Sequence, residues 1–444
     1  MRHHSRAWLR LSAVPAPPPS VPLADWLAYQ EGLHPSAIEL GLTRVRAVAQ
    51  RLGLFDSPPL TLTVGGTNGK GSSSTLAALV YRQAGYRVGL YTSPHLLRYN
   101  ERIVIDGAEA ADERIVEAFE AIEAARGDIG LTYFEFGTLA ALWLFRRAQV
   151  DVQVLEVGLG GRLDAVNIVD ADAAIVTNIG LDHLDWLGPD RETIGVEKAG
   201  IFRSGRPAIV AERDPPRSVF TKASEIGAHV LALGAGYDYR TDSESSWRWS
   251  GAGSQFDALP MPGLQGEAQL ANAAGVIAAL QALRDRLPVE APDIRAALPA
   301  LRLRGRFERI GDWIFDVAHN AESAEVLARN LASLRLPTRP RLLLGMLSDK
   351  PVETVLRILS KQVRQIDFVS LPPPRGLSAD ELRQRAEPLQ LSAPSGECHA
   401  SLDRAVRQCA PSSQGDITVV CGSFLTVAHA MQALQFDSTD DVRR

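Results

Sequence analysis

From residue 60 onward, short apolar runs alternate with stretches whose apolar positions recur every three or four residues, the patterns of buried strands and of helices with one buried face. The runs 60–64, 88–91, 152–157, 173–177 and 207–211 predict strands. Residues 72–84, stopped by Gly85, and 112–125, with Ile115, Phe119 and Ile122 on one face and Gly127 as the stop, predict helices. Such alternation predicts an α/β architecture, a parallel sheet with helices on both faces. Residues 236–264 break the rhythm with Gly, Ser, Asp and Trp and predict antiparallel ribbons or loops. Helical patterns return at 266–287 and 292–301. A second alternation, with strands at 313–317, 341–345, 366–370 and 417–421, predicts a further α/β unit.

At 444 residues the chain exceeds what one core supports, which fits two such units. The expected layout is a flexible lead-in at 1–23, a larger unit at 24–300, an arginine-rich joint at 301–310, a smaller unit at 311–436 and a polar tail at 437–444. For most of its four arginines the joint LRLRGRFERI reads as a solvated hinge. A net charge of −5 with dispersed basic residues gives no footprint for nucleic acid. The most apolar helical run, 138–145, is far too short to span a bilayer, and no signal-like run precedes the Pro-rich start. Three cysteines, Cys398, Cys409 and Cys421, form neither a zinc spacing nor an even disulfide framework, so the expected location is the cytoplasm.

Residues 65–72 read GGTNGKGS, a phosphate loop in which Gly71 separates Lys70 from Ser72 where the common form has them adjacent. A strand leads in and a helix leads out. Backbone N–H groups of Gly69, Lys70, Gly71 and Ser72, the helix N-terminus and an exposed loop Lys70 would face a phosphate. Ser93 follows the second strand, and Glu156 ends the strand VQVLEVG; both fall where ligands sit in an open α/β sheet. A carboxylate in an apolar strand needs a partner, and magnesium carried by a triphosphate is one. His183 follows the strand AAIVTNIG; its plainest reading is a hydrogen-bonded loop residue. Lys198 reads most simply as a surface lysine beside Glu197, and Asn272 as a solvated helix residue. In the second unit, WIFDVAHN delivers Asp316, His319 and Asn320 to a strand end, and CGSFLTVAH does the same for Ser423. Half-sites in two units predict a cleft between them.

Taken together, GTNGKGS, YTSPHLLRYNERI, LTYFEFGTLAALWLF, EVGLGGRLDAVNIVD, LDHLDWLG, EKAGIFR, IFDVAHN and CGSFLTVAH resemble the ATP-dependent amide ligases of the Mur ligase superfamily, and within it the folate branch of dihydrofolate synthases/folylpolyglutamate synthases. The resemblance spans nearly the whole chain from about Ala24 to Ala433. It implies a P-loop ATPase domain with a parallel sheet plus a smaller C-terminal Rossmann-like domain. ATP would contact Asn68 to Ser72, Asn272, Arg306 and Asp316, with Arg306 reaching over from the joint. Ser93, Glu156 and His183 would hold two Mg2+ ions. Lys198 matches a lysine that is carboxylated in the family, and Lys70, Lys198 and His183 would serve the chemistry. Ile38, Glu39, Leu40, Thr132, Phe134, Leu163, Asp164 and Ala165 match the pteroate and folate pocket. Arg102, His319 and Ser423 match positions implicated in glutamate binding. Glu39 stands where close relatives often have Asp, and Ser348 replaces a His seen in some.

The implied reaction activates a pteroate or folate carboxylate as an acyl phosphate, which the amino group of L-glutamate then displaces. Dihydropteroate, tetrahydrofolate and L-glutamate would be the substrates of a monomeric enzyme. Rival readings are a folylpolyglutamate synthase without the first activity, a Mur-type cell-wall amino-acid ligase, and a nucleotide-binding module that has lost catalysis. Joint retention of Ser93, Glu156, His183 and Lys198 argues against the last.

Overall fold

The computed structural model describes residues 16–18, 21–34, 39–251, 253–411 and 416–436; Ile38, most of the expected lead-in and the whole of the expected tail lie outside them. The chain is α/β, and its larger sheet has eight strands. In spatial order they are Ala108–Glu109, Ile103–Ile105, Val88–Tyr91, Val152–Glu156, Leu60–Gly65, Ala173–Val176, Pro207–Val210 and His229–Ala232. The last six are parallel, and the first two form an antiparallel hairpin at one edge. Central strands such as Leu60–Gly65 are buried at every position because helices cover both faces, which is why they read as continuous apolar runs.

One face packs Leu62, Val64, Val154 and Ile175 against the helices Lys70–Gln83 and Glu267–Ala282. The other packs Leu155, Val157 and Val176 with Phe136, Leu139 and Phe145 of the helix Tyr133–Ala148 and with Ile194 of the helix Arg191–Ala199. The predicted ribbons form a three-stranded antiparallel sheet, Tyr237–Thr241, Ser246–Gly251 and Ser254–Pro260. Two of its tryptophans are buried, and Trp249 Nε1 donates to Ala274 O of the helix beneath at 3.0 Å.

A six-stranded C-terminal sheet runs Glu308–Ile310, Trp313–Asp316, Thr418–Cys421, Arg341–Leu344, Gln365–Val369 and Ser395–His399. All but the first are parallel, and the last strand in sequence inserts at the centre. The joint departs from a solvated hinge. Glu308–Ile310 is already part of this sheet, Arg304 pairs with Glu308 at 2.9 Å, and Arg306 turns inward; only Arg302 and Arg309 are exposed. Strands His229–Ala232 and Ser395–His399 lie at sheet edges and are half-exposed; Ser395–His399 has no continuous apolar run, and His229–Ala232 offers only the short run Val230 to Leu233. A further helix, Leu23–Leu33, buries Trp26 and Tyr29 in the N-terminal core. Among the described residues, no helix is long and apolar enough to cross a membrane.

Candidate active site

The phosphate loop leaves the strand Leu60–Gly65 and enters the helix Lys70–Gln83, which begins two residues before the periodicity predicts. Lys70 is therefore not an exposed loop lysine. It is the first helical residue, half-buried, and its Nζ donates to Gly66 O at 3.0 Å and Thr67 O at 3.1 Å, drawing the loop into a ring around the helix start. Burial pushes its ammonium pKa down, against the opposing charge of Glu156. Gly69 sits at φ 81°, where a side chain would also meet Asn272 Oδ1 at 2.6 Å, so two constraints demand glycine. Asn272 is accordingly buried rather than solvated, its amide laid against the loop and donating to Gln269 at 3.3 Å. The neighbouring strand end fixes the loop from the side: Thr177 Oγ1 donates to Asn68 O at 2.6 Å, and Asn68 N donates to Asn178 Oδ1 at 2.8 Å.

A cavity of about 750 Å³ opens in front of this loop. Gly66 to Gly71, Ser93, Glu156, His183 and Lys198 line it from the N-terminal half, and Arg306, His319, Lys350 and Ser423 from the C-terminal half. Glu156 is buried at the end of its strand and accepts from Ser93 N at 3.0 Å. Burial raises its carboxyl pKa, with Lys70 and the Ser93 N–H opposing. His183 occupies a left-handed turn, φ 53°, and burial takes its imidazole down to about 4 despite Asp182, which leaves it neutral at pH 7. Lys198 is not a surface lysine: it is only 4% exposed, and Glu197 pairs instead with Arg162 at 2.9 Å. Burial, and then the charge of Lys70, push the Lys198 amine down to about 7. A buried carboxylate with a single backbone donor, a neutral imidazole and a serine facing one space are a donor set that fits a divalent cation.

The C-terminal contribution is held by strand ends. Asp316 does not line the cavity; its oxygens accept from Ala318 N at 2.8 Å and Phe307 N at 2.9 Å, tying the turn before His319 to the residue after Arg306. Burial raises Asp316 to about 6 against the opposing charge of Arg306. Arg306 lies over the Phe424 ring, 5.3 Å from its centroid. His319 Nδ1 donates to Val317 O at 2.7 Å, which directs Nε2 toward Asp182 Oδ2 at 3.7 Å. Ser423 caps the helix Phe424–Ala433, accepting from Thr426 N at 3.0 Å.

The pteroate-pocket candidates among the described residues lie off this cavity's lining, several of them behind its wall of Gly158, Leu159 and Gly160. Phe134 packs under Gly158, Thr132 caps the helix Tyr133–Ala148, and Leu163 O accepts from Gly41 N at 3.3 Å, next to Leu40. Asp164 is buried, accepts from Leu159 N at 2.8 Å and Val166 N at 3.0 Å, and caps the short helix that begins at Ala165. Glu39 pairs with Arg44 and with His34. Arg102 stands apart from His319 and Ser423: it stacks over Tyr99 and Tyr133 and donates to His95 Nδ1 at 2.8 Å, off the cavity lining.

Three groups at the interface were not anticipated from sequence: Lys350, Glu322 and Asn178. Asn178 lies just beyond a strand end and Glu322 in a first helical turn, near the places that the rule behind Ser93 and Ser423 marks, whereas Lys350 lies in the loop between the strand Arg341–Leu344 and the helix Val352–Leu359. Ser348 lies two residues before Lys350 and donates its N–H to Arg375 O at 2.9 Å.

A strand–loop–helix phosphate site facing a second α/β sheet across one cavity defines the Mur ligase class, and the family matches agree: residues 64–280 match the Mur ligase middle domain and 305–424 the Mur ligase glutamate ligase domain. The dihydrofolate synthase/folylpolyglutamate synthase of Escherichia coli (strain K12) is 44% identical over 422 residues, covering 94% of this chain and 97% of its own. The Haemophilus influenzae enzyme of that name is 37% identical, covering 92% and 96%. A solved structure of E. coli FolC in complex with DHPP and ADP superposes with a TM-score of 0.89 at 44% identity, covering 95% of this chain and 99% of that one. The chain belongs to the dihydrofolate synthase/folylpolyglutamate synthase family of Mur ligases.

Proposed function

We propose that this chain is an ATP-dependent ligase that joins L-glutamate to dihydropteroate and extends tetrahydrofolate with gamma-linked glutamates, working as a cytoplasmic monomer with two Mg2+ ions. The observation that carries this reading is the convergence of Lys70, Glu156 and Lys198 from one half with Arg306, His319 and Ser423 from the other on a single cavity. Its support from relatives is direct: a solved homologue at 44% identity holds Mn, AMPPNP and L-glutamate. Units at 24–300 and 311–436 close over the substrates, with 301–310 as the joint.

Lys70 and the loop N–H groups neutralise the transferring phosphoryl group, and Arg306 reaches it from the joint. Ser93, Glu156 and His183 would hold a divalent cation, which when bound would supply Lewis-acid polarisation of the phosphate oxygens. The acceptor carboxylate takes the γ-phosphoryl group and becomes an acyl phosphate; the glutamate amine, oriented by His319 and Ser423, attacks its carbonyl and phosphate leaves. Closure of the two halves keeps water from the acyl phosphate.

The test is ADP release with and without L-glutamate, offering dihydropteroate, tetrahydrofolate or a uridine-linked cell-wall precursor. Glutamate-dependent release with both pterins supports the reading, tetrahydrofolate alone reduces it to a folylpolyglutamate synthase, and the uridine-linked acceptor alone overturns it. Lys70→Ala is expected to abolish release in every arm.

A further inference from the structure

Glu322 lies in the first turn of the helix Ala321–Ser333, in the C-terminal half, yet its carboxylate rests on the phosphate loop of the other half. Its Oε2 accepts from Asn68 Nδ2 and from Asn178 Nδ2, each at 2.9 Å. The helix cap beside it, Asn320, donates to Asn68 Oδ1 at 3.3 Å. Glu322 also packs so closely over Gly180 that a side chain there would collide with its carboxyl group.

Asn68 is thus held at every polar group. Its backbone N–H and C=O are bonded by Asn178 and Thr177 of the N-terminal half, and both ends of its side-chain amide by Asn320 and Glu322 of the C-terminal half. The next residue is Gly69, whose left-handed backbone sets the direction of the N–H groups that follow. A carboxylate accepting from two amides is a directional, charge-assisted contact, and separating the halves removes it from Asn68 and Asn178 at once.

We infer that Glu322 is a positioning residue: it couples docking of the C-terminal half to the shape of the phosphate loop, so that the loop is set for nucleotide only when the halves are together. The inference rests on the phosphate-loop role given above. Its chemistry requires an acceptor oxygen at this place, which the carboxylate charge strengthens but does not replace, and that separates it from a simple electrostatic effect.

The experiment compares wild type, Glu322→Ala, Glu322→Gln and Asn68→Ala, and the Asn68→Ala/Glu322→Ala double variant, as full-length protein. Affinity for ATP and ADP is read by equilibrium titration and KM by glutamate-dependent ADP release. Glu322→Ala is expected to weaken ATP about tenfold in both readouts, with KM for dihydropteroate and the melting temperature near wild type. Glu322→Gln keeps an acceptor oxygen and is expected to restore most of the affinity, and the double variant should be no worse than Asn68→Ala. Unchanged ATP affinity in Glu322→Ala, equal losses in the Gln and Ala variants, or additive losses in the double variant would each overturn the inference. A wild type that binds nucleotide but ligates no glutamate would remove the ligase reading, while the titrations would still decide the role of Glu322.

Discussion

Lys350 Nζ lies 2.8 Å from Asp182 Oδ1, an ion pair that joins the loop after the strand Arg341–Leu344 to the loop that carries His183. Both side chains are largely buried, at 6% and 13% exposure. Burial alone would raise the Asp182 carboxyl, but His319, His183 and Lys350 outweigh it and hold the group well below the usual carboxylate range. The two halves therefore meet through charge beside the cavity rather than through apolar packing alone.

Removing one member of such a pair leaves the other without compensation, a cost of about 3–5 kcal/mol in buried settings. Lys350→Met is expected to lower kcat for ADP release at least tenfold and to expand the molecule in small-angle scattering, because the cost falls on the docked arrangement. Asp182→Asn in the Lys350→Met background should recover part of the compaction. An unaltered scattering profile and rate in Lys350→Met would show that docking does not depend on this pair.

Much of the fold was legible because central parallel strands announce themselves as apolar runs, and the strand ends then point to Ser93, Glu156, His319 and Ser423. What sequence could not supply was burial. Lys198 and Asn272 each look solvated in a helical stretch, since what lies against them, the loop after the strand Val152–Glu156 at the Lys198 carbonyl and the phosphate loop at the Asn272 amide, is distant in sequence. Residue pattern alone leaves Arg306 as one of four hinge arginines; the family resemblance picks it out, and its ring contact with Phe424 gives that choice a physical place. Cross-half contacts such as Glu322 with Asn68, 254 residues apart, carry no local pattern at all.

Arg306→Ala is expected to raise KM for ATP and lower kcat/KM about a hundredfold, roughly 2.7 kcal/mol of transition-state stabilisation, while dihydropteroate affinity stays near wild type. Arg306→Lys keeps the charge but loses the flat face laid on Phe424 and should recover only part of the loss. If neither KM nor kcat moves, this arginine belongs to the joint and not to the nucleotide.

Asp164 poses a choice between recognition and scaffolding. Direct reading of the pterin ring would make Asp164→Ala damage dihydropteroate use more than tetrahydrofolate use. Its oxygens, however, already accept from Leu159 and Val166, and each buried N–H left unpaired costs about 1–3 kcal/mol. The expected outcome is therefore a lower melting temperature and similar losses in kcat/KM for both substrates, with Asp164→Asn milder because it retains one acceptor. A loss confined to dihydropteroate, at an unchanged melting temperature, would establish recognition instead.

Lys198 is where environment and chemistry bear most directly on one another. With its amine brought down to about 7, mainly by burial, roughly half of the side chains are neutral at pH 7, against about one in 2,500 for an ordinary lysine at pKa 10.4. Only the neutral amine reacts with CO2, so this lysine is suited to carboxylation, which would turn a cation on the same cavity as Glu156 and His183, the proposed metal ligands, into an anion. The sign follows for pH: protonation below about 7 opposes the modification, so at one fixed concentration of dissolved CO2 the stripped enzyme should be restored faster at pH 8 than at pH 6. In stripped enzyme the folded-state value lies below the unfolded one of 10.5, so stability should rise with pH between them, and Lys198→Met should flatten that rise. Lys198→Arg keeps positive charge but cannot carry the carbamate, and it should be as inactive as Lys198→Ala. Formate or acetate should partly rescue the Ala variant by filling the vacated anion position and should not help the Arg variant. Full ADP release by Lys198→Arg would show that a cation suffices there and that no carbamate is needed.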